Sequence, residues 1–228
     1  AGNNYGLSEI DTDYGFILNP DVVLRNDTID EIIHASKEIG AFSIVSPIME
    51  EKNYPNYTIA KGDDSIDKKD QPFKVNSVDG FAMLLNISRL SKLEIFKNKK
   101  YFDENIFLYL ENDDLCKRII DNDENIYIVP RSKIKHLGAK AVDEKYEYEI
   151  ELSRNWHWVW SKFYYNKKHY GLINAYIKVC PIFISATLKM LLYFFINKRK
   201  KEIYLFRMLG FLNAAIGRKS FYRPKINY

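Results

Sequence analysis

Apolar positions fall in short blocks through the first two thirds of the chain. Residues 14–18 (YGFIL), 42–48 (FSIVSPI), 73–78 (FKVNSV), 81–87 (FAMLLNI) and 126–129 (IYIV) are rich in aliphatic and aromatic side chains. Each is bounded by turn-forming residues, the pattern of strands. Between them the spacing changes. Thr28 and Glu31 make a capping box and Gly40 a stop, which predicts a helix over 29–39. Leu115 and Ile119, like Cys116 and Ile120, recur four apart after Asn112, a good N-cap, which predicts a second helix. Asp113 and Asp114 would occupy its first turn, and Asp114 would reach Arg118 one turn on. Residues 3–10 read as the end of a helix, and Ser88 as the cap of a short one through Leu93. Strand, helix and strand in succession predict a parallel α/β unit. Residues 50–72 are polar and aperiodic, as in a long loop.

This alternation ends near Lys145. The remainder of the chain is helical and strongly aromatic, with Trp156, Trp158 and Trp160 close together. Residues 172–197 are apolar, interrupted by Lys178 and Lys189, and Pro181 either kinks this helix or marks its start. The charge-free piece between the lysines is too short to cross a bilayer, for which about 20 residues are needed. With the basic run Lys198, Arg199, Lys200 and Lys201 behind it, the stretch predicts a helix lying in a membrane interface. The three tryptophans would be its anchors, and the alternative is a helix packed on the rest of the protein. Two domains are expected, 1–143 and 144–228.

Composition sharpens this division. The net charge of the 228 residues is only +4, but from Arg154 onward 15 Lys and Arg face the single acid Glu202. That portion carries +14 and the first 153 residues carry −10. An acidic body with a basic tail suggests a phosphate-bearing partner, and the apolar residues between the cations favour lipid over nucleic acid. Cys116 and Cys180 lack disulfide or metal spacing, so a reducing compartment is expected. Three N-x-S/T sequons, at Asn26, Asn56 and Asn86, are read as chance matches in an Asn-rich chain.

Several residues carry candidate chemistry. Asp21 follows the strand-terminating turn Asn19-Pro20, where open α/β sheets bind ligands, although all three residues also simply favour turns. Gly80 lies between two strands after Asp79, suited to close backbone approach or to a plain bend. Glu111, Asp113 and Asp114 crowd into four positions at the mouth of a helix. His136 lies beyond the last strand. Asp21 and His136 would make a site for Mg²⁺ or Mn²⁺ if the fold unites them, with the acidic cluster supplying a general base.

The order LNPDV, VDGFAML, FDENIFLYLENDDLCKR and VPRSKIKHLG resembles the family 2 glycosyltransferases of GT-A fold, particularly their rhamnosyltransferase-like branch. The resemblance covers residues 3–141. It implies a Rossmann-like mixed sheet flanked by helices, followed here by a helical C-terminal tail. It also implies an enzyme that moves a sugar from a nucleotide-diphosphate sugar to the hydroxyl of a glycan or lipid-linked acceptor, with inversion, in cell-surface polysaccharide or glycolipid synthesis. Asp21 and His136 would bind the metal. Asn19, Asp21, Asp79 and Gly80 would meet the donor, and Glu111, Asp113 and Asp114 would form the catalytic cluster.

The chain departs from that pattern in two places. Asn112 stands where the family's base Asp is expected, and a neighbour, first of all Glu111, would take its role. The strand, helix and strand that hold the nucleotide in this family have no counterpart here. The chain thus reads as lacking its first βαβ unit, which would leave it inactive alone. A cytoplasmic protein at the inner face of the cell membrane is expected. The rival readings are a non-catalytic membrane-surface module with a decayed enzyme fold and a different metal-dependent phosphoryl enzyme.

Overall fold

A computed structural model describes residues 2–51, 53–59, 70–138 and 143–224. The chain forms two compact units, one of residues Ala1–Asp103 and Asn112–Ala141, the other of Glu104–Glu111 and Val142–Tyr228.

The first unit is mixed α/β. Helix α1 (Gly2–Ser8) precedes strands β1 (Tyr14–Leu18) and β2 (Val22–Leu24), then helix α2 (Thr28–Ile39) and strand β3 (Ile44–Met49). Short strands β4 (Tyr57–Thr58), β5 (Phe73–Val75) and β6 (Ser77–Val78) lead to β7 (Ala82–Asn86). Helices α3 (Ile87–Leu90) and α4 (Glu111–Ile120) and the long strand β8 (Ile126–His136) complete it. The main sheet has the order β1-β7-β3-β8-β2, with β5 also on β8, while β4 and β6 form a separate ribbon. Among the described residues, only β3 and β8 pair in parallel. The expected unit of β1, α2 and β3 is therefore split, because the antiparallel β7 lies between its two strands.

Alternation along the central strands sends side chains to both faces. Val45, Leu84 and Val129 meet Ile32 and Ala35 of α2. Ile44, Met83, Leu85 and Ile128 meet Leu115, Cys116 and Ile119 of α4. Both layers exclude water from aliphatic surface, the main force holding such a sandwich together. Burial pushes the Cys116 thiol up to about 12, so it acts as a small apolar residue.

Local details differ from the sequence reading where tertiary contacts claim the side chain. Thr28 does not cap α2, because its hydroxyl donates to the Lys133 carbonyl and accepts from Arg25 N–H. Asn86, not Ser88, caps α3 by accepting from Arg89 N–H. Strand β8 does not stop at Pro130 but continues to His136, absorbing the proline in a bulge at which the register on β3 jumps from Val129 to Lys133. Two of the sequon asparagines are engaged by the fold. Asn56 is buried and donates to the Pro47 carbonyl, and Asn86 is the α3 cap. Much of the expected loop, at 52 and 60–69, lies outside the described residues.

The second unit is helical, with α5 (Glu147–Tyr170), α6 (Leu172–Tyr193) and α7 (Lys198–Ala215). Trp156, Val159, Trp160 and Phe163 of α5 pack with Ala175 and Val179 of α6 and with Phe211 and Ala214 of α7. The α5 and α7 backbones approach so closely that a Cβ on Gly210 would lie 2.3 Å from the Trp156 carbonyl oxygen, which excludes any other residue there. Trp156 and Trp160 are thus core residues rather than membrane anchors, and Trp158 is half-buried beneath Arg207 and Lys162. Pro181 sits inside α6, which continues through it. His157 is buried, its Nε2 2.8 Å from the Tyr222 carbonyl and its Nδ1 2.9 Å from the Ser220 hydroxyl. Desolvation pulls its pKa down to about 4, so it stays neutral and fixes the segment after α7.

Candidate functional site

The antiparallel pairing of β2 with β8 sets Val22 opposite His136, and Leu137 N–H donates to the Asp21 carbonyl at 2.9 Å. Two residues far apart in sequence therefore meet, with His136 Nε2 3.2 Å from Asp21 Oδ2. The Phe81 ring stacks on the imidazole at 4.3 Å and 12°, which holds the plane of His136. Asn19 N–H donates to the Phe81 carbonyl at 2.9 Å and Val22 N–H to the Asn19 carbonyl at 3.2 Å. These bonds tie the 19–21 turn to the segment that enters β7. The Asn19 residue itself is exposed.

The acidic helix approaches the same segment. A Cβ on Gly80 would lie 3.2 Å from Asn112 Cβ, so a larger residue would push α4 outward. The Asn112 side chain donates from Nδ2 to the Val78 carbonyl at 2.9 Å. Helix α4 starts at Glu111, so Asn112 is inside the helix and is not its N-cap. Next to it, Asp113 hydrogen-bonds Ser77, and its carboxyl is raised by burial while that bond pulls it back. The Asp79 carboxyl is also raised, first by desolvation and then by the Asp113 charge, with His136 acting in the opposite sense. Asp79 remains exposed to solvent.

Asp21, His136, Asp79, Gly80 and Asp113 are thus brought together within one unit. Asp114 is not among them. Its side chain is fully buried and pairs with Arg118 at 2.9 Å, while Arg118 also donates to the Tyr101 carbonyl and covers the Phe96 ring. It belongs to the core and not to the catalytic cluster expected of it; its four-residue spacing from Arg118 foretold the pair but not the burial. Glu111 opens α4 but falls in the helical unit, where burial raises the Tyr109 hydroxyl, Arg154 opposes that rise and the Glu111 charge adds to it.

Three further contributors had no sequence signal: Ser77 against Asp113, the Phe81 ring on His136 and the Asn112 amide on Val78. Each depends on strand pairing or helix docking.

A carboxylate oxygen and an imidazole nitrogen at this separation suit one hard divalent cation. Two ligand atoms roughly 2.1–2.3 Å from an ion and at right angles are about 3.0–3.2 Å apart. Among the described residues, no group of three or more Asp, Glu, His or Cys side chains closes a metal shell without help. Such a cation would keep positions for water and for oxygens of a bound phosphate, the usual arrangement for Mg²⁺. No protein-family model matches the chain, and no curated protein matches it. The assignment of chemistry therefore rests on the site itself.

Proposed function

We propose that the protein is a metal-dependent glycosyltransferase of GT-A type that uses a nucleotide-diphosphate sugar. The observation that carries this reading is the Asp21–His136 pair at 3.2 Å, in the same unit as the close approach of Gly80 to Asn112 and the raised carboxyl of Asp113. The order of the four sequence motifs gives it independent support. A divalent cation held by Asp21 and His136 would supply positive charge to the leaving diphosphate. Phe81 holds the imidazole in plane, and Gly80 lets α4 seat closely against this segment. Asp113 accepts the proton of the acceptor hydroxyl as that oxygen bonds to the anomeric carbon and the diphosphate oxygen departs, with inversion. Asp113 lies in the same unit as Asp21 and His136 and is partly desolvated, whereas Glu111 falls in the helical unit, which favours Asp113 for this role. Asn112 is the clamp that seats α4, because an acid there would set a carboxylate against the Val78 carbonyl. Calorimetric titration of nucleoside-diphosphate sugars with Mn²⁺ tests the reading. One donor binds saturably and only with the metal, whereas equal binding with and without Mn²⁺, or none across the common donors, overturns it.

An anionic membrane surface is the proposed seat of this activity, and the exposed face of α6 supports that reading. Ile173, Ile177, Ile184, Leu188 and Leu191 of α6 are 56–78% exposed. At ~100° per residue they fall within about 60° of one another on the helix. Lys178 and Lys189 lie ~120° round from them, beyond the polar Asn174 and Ser185, while Ala175, Val179 and Ala186 face the unit's core. Leu172–Leu192 has the length and composition to cross a bilayer, with mean hydropathy 1.5. The two lysines on one flank suit instead a helix lying flat, its stripe in the acyl boundary and its cations among the head groups. The protein is expected to sediment with anionic liposomes and to be partly released by high salt. The double variant Ile184→Lys/Leu188→Lys stays in the supernatant, and retention in the pellet through high salt and alkaline washing would mark a spanning helix.

A further inference from the structure

The helical unit contains a cavity of about 370 Å³ that the Asp21–His136 site does not use. Trp160, Phe163 and Tyr164 of α5 form an aromatic wall, and Lys167, Arg218 and Lys219 stand round it. No Asp or Glu occurs among the described lining residues. The Trp160 indole N–H is already satisfied by the Arg218 carbonyl at 3.0 Å, and its ring stacks on Tyr164 with centroids 5.1 Å apart, so it presents the cavity with no free polar group. This bond also holds Arg218 at the turn after α7, where Gly217 adopts φ +75°.

A bland account exists for the cations. Lys167 lies in the last turn of α5, and Arg218 and Lys219 come after α7, where positive charge complements the helix dipole. That account explains charge but not the aromatic cavity which the same cations surround. The volume holds roughly a dozen water-sized groups at ~30 Å³ each, enough for a phosphate and the first few methylenes of a chain. An apolar pocket with cations at its edge is complementary to an anionic amphiphile.

The surroundings narrow the ligand further. The Phe163 ring packs on Tyr176 of α6 with centroids 5.1 Å apart, and Tyr176 is next to Ile177 of the exposed stripe. Lys167 is within one turn of Gly171, from which α6 departs. Phe163 is fully covered, whereas Tyr176 is exposed, so a chain leaving the cavity over Tyr176 would come onto the apolar face of α6.

We propose that this cavity binds the phosphate group of a membrane lipid, with the lipid chain continuing along the α6 stripe. Lys167, Arg218 and Lys219 hold the phosphate oxygens, and Tyr164, on which Trp160 stacks, covers the first carbons. This deepens the membrane reading and rests on it, and a soluble probe separates the two. The probe is n-dodecyl phosphate below its micelle concentration, followed by calorimetry and by tryptophan fluorescence, since Trp160 lines the cavity. Inorganic phosphate and n-dodecyl maltoside serve as the anion-only and chain-only comparisons. Dodecyl phosphate is expected to bind saturably and at least about tenfold more tightly than either, because ionic and apolar contacts combine. The variant Lys167→Glu/Arg218→Glu is expected to lose at least about tenfold in affinity for dodecyl phosphate while keeping its affinity for dodecyl maltoside. Lys167→Met/Arg218→Met, which leaves packing closer to the native state, should show the same loss with unchanged helical content. Equal binding of the maltoside, competition by inorganic phosphate at equal concentration, or undiminished binding by the Met variant would each overturn the lipid-phosphate site. Intact liposome binding alongside such a result would leave the membrane-surface reading standing.

Discussion

Asp21→Ala abolishes Mn²⁺-dependent binding of the nucleotide-sugar donor, and this is the largest effect expected of a single substitution. The reason is the size of the protein's share in the proposed cation site. Asp21 and His136 are its two ligands, so removing the carboxylate takes away its only anionic donor. Loss of a neighbour that merely orients a metal ligand commonly costs about 10–100-fold, and loss of the ligand itself costs more. The fold should survive, because Asp21 enters the β2–β8 pairing through its backbone, where its carbonyl accepts from Leu137 N–H. Circular dichroism is the control, and Mn²⁺ calorimetry with and without donor is the readout. His136→Ala should weaken binding in the same assay, whereas Val23→Ala, on the exposed side of β2, should not. If Asp21→Ala binds Mn²⁺ and donor like the parent protein, the 3.2 Å contact is only an ion pair of the strand end.

Asp113→Asn is expected to lower kcat by about 10²–10⁴-fold with a much smaller change in donor affinity, the signature of a general base. The acid limb of the rate profile should lie above the ordinary aspartate value of about 3.9, since burial raises this carboxyl and the active form is ionised. Activity therefore falls as the pH drops through that raised value. Two comparisons make the assignment specific. Glu111→Gln should retain most of its activity, and Asn112→Asp should not gain any, because its new carboxylate would face the Val78 carbonyl. A large loss from Glu111→Gln with none from Asp113→Asn would return the role to Glu111. Asp114→Asn should act on stability, because it leaves the largely buried Arg118 charge without its carboxylate.

The sequence by itself determined the elements and their class. Hydrophobic period separates the strands from α2 and α4, and the change of period near Lys145 marks the start of the helical region, because side-chain burial imposes these repeats locally. The ion pair of Asp114 with Arg118 was also legible, as four-residue spacing on a helix fixes it. Tertiary structure decided what depends on which segments meet. The motif resemblance implies a mixed sheet and the chain forms one, but that β7 is the strand inserted between β1 and β3 is an outcome that no local pattern encodes. Trp156 and Trp160, anchors on sequence grounds, became core because α7 approaches α5 at Gly210. Asn112 and Thr28, suited to capping, were drawn instead to the Val78 and Lys133 carbonyls. The 3.2 Å meeting of Asp21 with His136 required the β2–β8 register, which a one-residue slip would have undone by turning His136 to the other face. Motif order could nominate those two residues. Only strand pairing, set by burial over the whole sheet, could bring their side chains together.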